Sequence, residues 1–248
     1  MHKVVVIIQA RMGSTRLPEK VMKKIVGKTV LEHVVERVRQ SKEIDDLVIA
    51  TTNKEEDDTI VREAERLGVN YFRGSEEDVL SRYYYAAQEN SADIVVRITS
   101  DCPLIDPLVL DHMLLKFFGL YEKMEADYMS NTLKRTFPRG LDAEIIPFKV
   151  LERTFNEAKK QYEREHVTPY IYQNSDKFKL VNFENIENYS DYRITLDTEE
   201  DLMVITKIYE NLHHGGKIVC LDEIINFMEK HPDIKEINES VRQKELGV

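Results

Sequence analysis

The feature that most limits the folds open to this chain is a rhythm. Apolar runs at residues 4–8, 47–50, 69–72 and 93–99 are too short for helices, and each leads within a few residues into a stretch with helical spacing. The first run, Val4-Val5-Val6-Ile7-Ile8, is β-branched throughout without polar alternation, as a strand buried on both faces requires. Helices are read at 29–40, where Val30, Leu31, Val34, Val35 and Val38 share a face, at 55–67 up to Gly68, at 79–90 and at 108–118. Thr29, with Glu32 three residues on, is placed to cap the first, and Asp106 to cap the last. Four such repeats with short links predict an α/β fold, a mostly parallel central sheet with helices on both faces.

From about residue 121 the rhythm breaks, and 121–185 reads as an excursion inserted in the same sheet protein. Short strands are expected at 128–131 and 143–146, around Pro138-Arg139-Gly140. A helix follows at 148–160, then a polar, aromatic stretch at 164–172 readable as helical despite Pro169, and extended segments at 178–183 and 192–195. Helices return at 198–211, with Asp197 at the entrance, and at 221–230, separated by a turn at His213-His214-Gly215-Gly216. Pro232 opens a polar C-terminal tail, 232–248. There is no internal repeat and no linker that divides the chain, so 1–248 is taken as one domain.

The formal net charge of −10 repels a nucleic-acid backbone, so nucleic acid is not an expected partner. Cys102 and Cys220 are far apart and offer neither a disulfide framework nor zinc spacing. No run is long enough to span a membrane, and the first apolar run starts too early for a signal peptide; a cytoplasmic location is the default expectation.

Against this acidic background, residues 11–28 hold six cations (Arg11, Arg16, Lys20, Lys23, Lys24, Lys28) and one acid, Glu19. Ligands of open parallel sheets lie beyond the carboxyl ends of the strands, where this loop begins. Arginine forks and a lysine charge suit phosphate oxygens, and Gly13 lets backbone N–H groups approach closely. Ser14 and Thr15 add hydroxyls, and Pro18 stiffens the loop. A polyphosphate site is one reading; an ordinary solvated loop is the other. The Walker spacing is absent. Asp101 also follows a strand, where it is placed to hold Mg²⁺ against a nucleotide or merely to shape the turn before Pro103. Asp197 reads equally as a helix N-cap or as a second metal carboxylate. His166 reads as a base, an acceptor contact or a packed side chain. Asp142 and Glu144, beside Arg139, read as sugar-facing groups or a surface ion pair. Tyr83-Tyr84-Tyr85 reads as helix packing and Cys102 as a small core residue.

The run Ala10-Arg11-Met12-Gly13-Ser14-Thr15-Arg16-Leu17-Pro18-Glu19-Lys20 resembles the signature loop of sugar-acid cytidylyltransferases. It is similar to the loops of 3-deoxy-manno-octulosonate cytidylyltransferase and CMP-sialic acid synthetase. The chain as a whole resembles the spore-coat polysaccharide biosynthesis protein F group. Further matching stretches begin at Arg73-Gly74-Ser75, Arg97-Ile98-Thr99-Ser100-Asp101, Arg139-Gly140-Leu141-Asp142, Arg164-Glu165-His166 and Leu196-Asp197-Thr198, in order along nearly the full length. The resemblance implies a nucleotide-diphospho-sugar transferase (GT-A-like) fold. It implies a CTP triphosphate clamp of Arg11, Gly13, Ser14, Arg16 and Lys20, with Arg11, Arg16 and Lys20 active in catalysis. Asp101 and Asp197 would bind Mg²⁺, Ala10 and Thr51 would frame the cytosine, and Ser75 and Arg97 would complete the nucleotide and sugar pocket. The implied reaction is transfer of CMP from CTP to a sugar-acid acceptor with release of pyrophosphate, by a homodimer associating through the region after the fourth strand. Arg97 and Cys102 depart from the octulosonate enzymes, which have Gln and Glu there, so the sugar is not carried over. A glycosyltransferase on a similar fold, or a non-catalytic nucleotide-binding subunit, are the competing classes; the first would want an Asp-x-Asp motif that Ser100-Asp101-Cys102 lacks.

Overall fold

The computed structural model describes residues 2–213 and 219–243. In chain order, β1 (Val4–Gln9) leads through the cationic loop to a 3-10 turn at Lys20–Met22, a small hairpin of β2 (Lys24–Ile25) and β3 (Lys28–Thr29), and α1 (Val30–Val38). Next come β4 (Asp46–Thr52), a 3-10 turn at Glu55–Asp57, α2 (Asp58–Arg66), β5 (Asn70–Gly74), α3 (Val79–Glu89), β6 (Ile94–Thr99) and α4 (Pro107–Tyr121). The excursion contributes β7 (Tyr128–Ser130), β8 (Glu144–Pro147), α5 (Phe148–Glu157), α6 (Gln161–His166), α7 (Pro169–Tyr172) and β9 (Leu180–Asn182). The chain then runs through α8 (Glu199–Leu212), α9 (Leu221–Lys230) and α10 (Pro232–Glu236).

One seven-stranded sheet has the order β5-β4-β1-β6-β8-β7-β9. β5, β4, β1 and β6 are mutually parallel, β8 runs antiparallel to β6 and to β7, and β9 is parallel to β7. The α/β reading therefore holds, and the excursion is no appendage, because its three strands extend the same sheet. β1 is central, and its side chains divide between two cores as the period of two demands. Val4, Val6 and Ile8 pack in the core that includes α1, α4, α8 and α9, whereas Val5 and Ile7 pack in the one that includes α3 and α5. No polar side chain alternates along β1 because neither face meets water.

The expected caps form: the Thr29 hydroxyl accepts from Glu32 N at 3.0 Å, and Asp106 from Leu108 N at 2.8 Å. The 164–172 stretch divides into α6 and α7, since Val167 takes a positive φ of 73° and Pro169 can begin a helix but not continue one. The β2–β3 hairpin, turned at Val26 and Gly27 (φ 48° and 83°), gave no sequence signal beyond Gly27. Residues 192–195 stay extended but join their neighbours through a single bridge between Arg139 and Arg193. The expected turn at 213–216 lies, beyond His213, outside the described residues. The segment after Pro232 folds back onto the body, with Ile234 in the core and Asn238 buried. Among the described residues no helix is long and apolar enough to cross a membrane.

Gln9 stands opposite Ala50 on one side and Thr99 on the other. This register brings the carboxyl ends of β4, β1 and β6, and the loops that follow them, to one edge of the sheet.

Candidate active site

The loop after β1 is shaped from below. Met12 N donates to Asp57 Oδ1 at 2.7 Å, and the same buried carboxylate takes the Thr52 hydroxyl. Met12 O accepts from Ser14 N (2.8 Å) and Glu19 N (3.3 Å), closing the loop on itself. Leu17 and Val21 are anchored in the core. Polar side chains between these apolar anchors have no room inward, so Arg11, Arg16 and Lys20 face a cleft of ≈ 290 Å³ with Gly13, Ser14 and Thr99 on its walls. Arg11 reaches Glu76 at 3.2 Å, which also holds Lys54 at 2.5 Å.

Lys20 is the centre of the cleft. Its ammonium donates to Asp197 Oδ1 at 2.7 Å, Asp101 Oδ2 at 3.0 Å and Leu196 O at 3.0 Å, which uses all three N–H groups. Burial alone would lower the Lys20 pKa; Asp101 and Asp197 more than offset that and hold it above the usual lysine value. Burial would likewise raise Asp101, but the Lys20 ammonium and the Thr99 hydroxyl, 2.5 Å from Oδ1, hold it below the usual aspartate value. Arg16 Nη2 lies 2.8 Å from the other oxygen of Asp197.

Asp197 is free for these contacts because it is not the helix cap. Thr198 caps α8 in a box with Asp201, and the Asp201 carboxylate takes Asp197 N at 2.9 Å. Asp201 is in turn gripped by Arg193 through two bonds of 2.8 Å. The capping alternative for Asp197 is thereby removed. The Asp101 carbonyl accepts from Leu196 N at 2.9 Å, which ties the loop after β6 to the segment that carries Asp197. Two carboxylates converging on one cation form a donor set that suits Mg²⁺, which takes one or two carboxylates plus phosphate oxygens. Among the described residues no larger group of His, Cys, Asp and Glu is assembled as a metal cage.

A second, larger cavity of ≈ 850 Å³ adjoins the cleft, with Thr99 on the wall of both. Arg97 lines it, paired with Glu144, which also accepts from the Tyr128 hydroxyl. Asp142 is bound by Arg135 at 2.6 and 2.8 Å rather than by Arg139. His166 is on the wall, and burial lowers its pKa, so the imidazole is neutral at pH 7.

The structure thus brings Arg11, Gly13, Ser14, Arg16, Lys20, Asp101 and Asp197 together around one cleft. Arg97 is placed in the neighbouring cavity instead. Ala10 and Thr51 are buried at the strand ends, the Thr51 hydroxyl without a partner among the described residues. Ser75 is exposed, and its hydroxyl accepts from Asp78 N at 3.1 Å in the turn before α3. Gln9, Thr99, Arg193, Asp201 and Asn238 have no role assigned from the sequence. Only Asp201 carried a signal, as the fourth residue of Thr198-Glu199-Glu200-Asp201. Tyr83 and Cys102 are core residues as expected, Tyr83 donating to Ile7 O and Ile98 O, and burial raising the Cys102 thiol.

A mostly parallel sheet with a cationic, carboxylate-bearing cleft at its strand ends is the architecture of a nucleotidyltransferase. The cytidylyltransferase family model matches residues 5–239, and the chain belongs to that family. It is 34% identical over 240 residues to spore coat polysaccharide biosynthesis protein SpsF of Bacillus subtilis (strain 168), covering 94% of this chain and 97% of that one. The structure of a cytidylyltransferase from Leptospira borgpetersenii serovar Hardjo-bovis (strain JB197) superposes with a TM-score of 0.90 at 37% identity, covering 99% of this chain and 100% of that one. CMP:2-keto-3-deoxy-manno-octonic acid synthetase complexed with CTP shares the fold, with a TM-score of 0.63 at 18% identity over 84% of this chain and 98% of that one.

Proposed function

We propose that the protein transfers CMP from CTP to a hydroxyl of a keto sugar acid, releasing pyrophosphate, in the synthesis of a surface polysaccharide. The observation that carries the reading is the Lys20 ammonium held between Asp101 and Asp197 inside a cleft walled by Arg11 and Arg16, beside a cavity large enough for a sugar. The relative solved with CTP has the same fold, and the spore-coat relative is named for polysaccharide biosynthesis.

In this reading the triphosphate lies along the loop after β1, and the acceptor occupies the cavity beyond Thr99. The acceptor oxygen bonds to the α-phosphorus as the bond to the bridging α–β oxygen breaks, and the hydroxyl proton leaves to solvent. Arg11 and Arg16, with Lys20 once it exchanges its carboxylate partners for phosphate oxygens, take the charge that develops on pyrophosphate, while Gly13 lets backbone N–H groups approach phosphate closely. Asp101 and Asp197 would hold Mg²⁺, which when bound offsets phosphate charge and orients the α-phosphate. Thr99 keeps Asp101 oriented, and Arg193 and Asp201 keep Asp197 oriented.

The test is pyrophosphate release from CTP with Mg²⁺ and a panel of octulosonic and nonulosonic acids, with the CMP-sugar identified by mass spectrometry. Tight CTP binding without pyrophosphate for any acceptor would mean a nucleotide-binding subunit. Sugar transfer from a nucleotide sugar without pyrophosphate would mean a glycosyltransferase.

A further inference from the structure

The polar segment after α10 does not leave the body of the protein. Ile234 seats α10 in the core, and the chain beyond it brings Asn238 to the corner that carries Asp197. Arg193, four residues before Asp197, and Asp201, four residues after it, close that corner with two bonds of 2.8 Å. Asp201 is buried, and five donors fill its two oxygens. Oδ1 takes Arg193 Nε and Asn238 Nδ2; Oδ2 takes Arg193 Nη2, Asp197 N and Thr198 N. A carboxylate so fully used has nothing left for a ligand, and acts as an anchor.

Asn238 spans the same corner. Its amide nitrogen donates to Asp201 Oδ1 at 2.8 Å and to Arg193 O at 3.1 Å, one bond to each side of Asp197. Burying a primary amide is unfavourable unless it is bonded, and the buried Asn238 spends both its N–H groups on the two residues that fix Asp197. The next residues grip the arginines. Arg193 Nη2 lies 3.4 Å from Asp197 Oδ2, and its Nη1 donates to Gln243 Oε1 at 3.1 Å. Arg16 Nη2 lies 2.8 Å from the same oxygen, and its Nη1 donates to the Arg242 carbonyl at 3.2 Å. Each arginine on Asp197 Oδ2 is therefore tied at its other nitrogen to residues 242–243. A long side chain gripped at both ends has lost its rotamer freedom before a ligand arrives.

We propose that Asn238 and Gln243 are positioning residues of the catalytic cleft. Through Arg193 and Asp201 they hold the Asp197 carboxylate against Lys20, with Asp101 on the other side of the ammonium. Neither residue touches the substrate. The inference rests on the transfer reading for what Asp197 does, and on these bonds for how it is held. The end of the described chain thus belongs to the active site, although its composition is that of a tail.

The experiment measures pyrophosphate release by full-length variants. Asn238→Leu has a similar branched shape without the N–H groups. Loss of an outer contact to a ligating carboxylate should lower kcat about tenfold to a hundredfold. KM for CTP should stay within about threefold of wild type, because Arg11, Arg16 and Lys20 are all present. Mn²⁺ affinity with CTP and no acceptor, read by electron paramagnetic resonance, should weaken by about tenfold to a hundredfold as well. Gln243→Met, at an exposed position, removes one acceptor from Arg193 and should lower kcat about twofold to tenfold. Gln243→Glu restores an acceptor and should recover most of that loss. If Asn238→Leu does not fold, the two Gln243 variants decide. Unchanged kcat and Mn²⁺ affinity in folded Asn238→Leu, a loss confined to KM, or Gln243→Glu as slow as Gln243→Met, would overturn the proposal. If wild type releases no pyrophosphate with any acceptor, the transfer reading fails. Positioning is then judged by urea unfolding of Asn238→Leu, Asp197→Asn and the double variant, with Gln243→Met in place of Asn238→Leu if the latter does not fold. Losses that fail to add sustain the link between these residues and Asp197; losses that add overturn it.

Discussion

Replacing Lys20 by Met removes one charge and leaves two. The Lys20 side chain is 14% exposed, and it bridges Asp197, 10% exposed, and Asp101, 24% exposed. Breaking a buried pair by deleting one partner costs about 3–5 kcal/mol, because the remaining charge is left without its counter-ion. Here the lower end applies. Arg16 stays on Asp197 at 2.8 Å, so that acid keeps a counter-charge, and Asp101 keeps the Thr99 hydroxyl at 2.5 Å. The expected loss is about 3 kcal/mol, a large part of a domain's stability. Urea unfolding at neutral pH in the presence of a chelator measures it. A second arm adds Mg²⁺ without nucleotide. In wild type the ammonium already occupies the space between the carboxylates, so the cation should shift the midpoint little. In Lys20→Met the two acids are open to it, and binding to the folded state alone should restore stability as RT ln(1 + [Mg²⁺]/Kd). A loss under about 1 kcal/mol, or equal Mg²⁺ responses in the two proteins, would refute the argument that Lys20 neutralises the pair.

Asp197→Asn should lower kcat for pyrophosphate release by about two to three orders of magnitude, on the scale of a lost transition-state contact, while circular dichroism stays native. Gly140→Ala forces a Cβ to within 2.6 Å of the Ile194–Thr195 backbone at a φ of 107°, and should cost on the order of 3 kcal/mol in thermal unfolding. His33 is buried against Tyr209, ring centroids 4.1 Å apart, with Nε2 2.8 Å from Ile25 O. Burial lowers its pKa, so below about pH 6.5 the unfolded chain takes up a proton that the folded chain refuses. Its contribution is complete above that pH and is lost as pH falls toward the lower folded value, at no more than about 1.4 kcal/mol per pH unit. The His33→Gln variant should lack this component of the slope when urea midpoints are compared at about pH 7.5 and 5.

What could be read in advance was whatever depends on neighbours in sequence. The strand at Val4–Gln9 declares itself by five consecutive β-branched residues, and the loop after it by charge density, so the cationic wall of the cleft was legible. Asp101 was legible for the same reason, being fixed by the strand that precedes it. Asp197 was not, because its environment is decided by Thr198, which takes the cap, and by Arg193 and Asp201, which orient the carboxylate. The larger cavity was least legible. Arg97 is paired with Glu144, a residue forty-seven positions on that faces it across β6 and β8. The segment from Pro232 is polar in composition, and composition describes a tail. Its position comes from single contacts at long separation, such as Asn238 to Asp201 and Arg242 to Arg16, which leave no periodic trace. A pocket assembled from such contacts can change its ligand by a few substitutions while the sheet and the phosphate loop stay as they are. That physical separation explains why the cationic loop after β1 stands out in the sequence, whereas the cavity lined by Arg139, His166 and Arg242 does not.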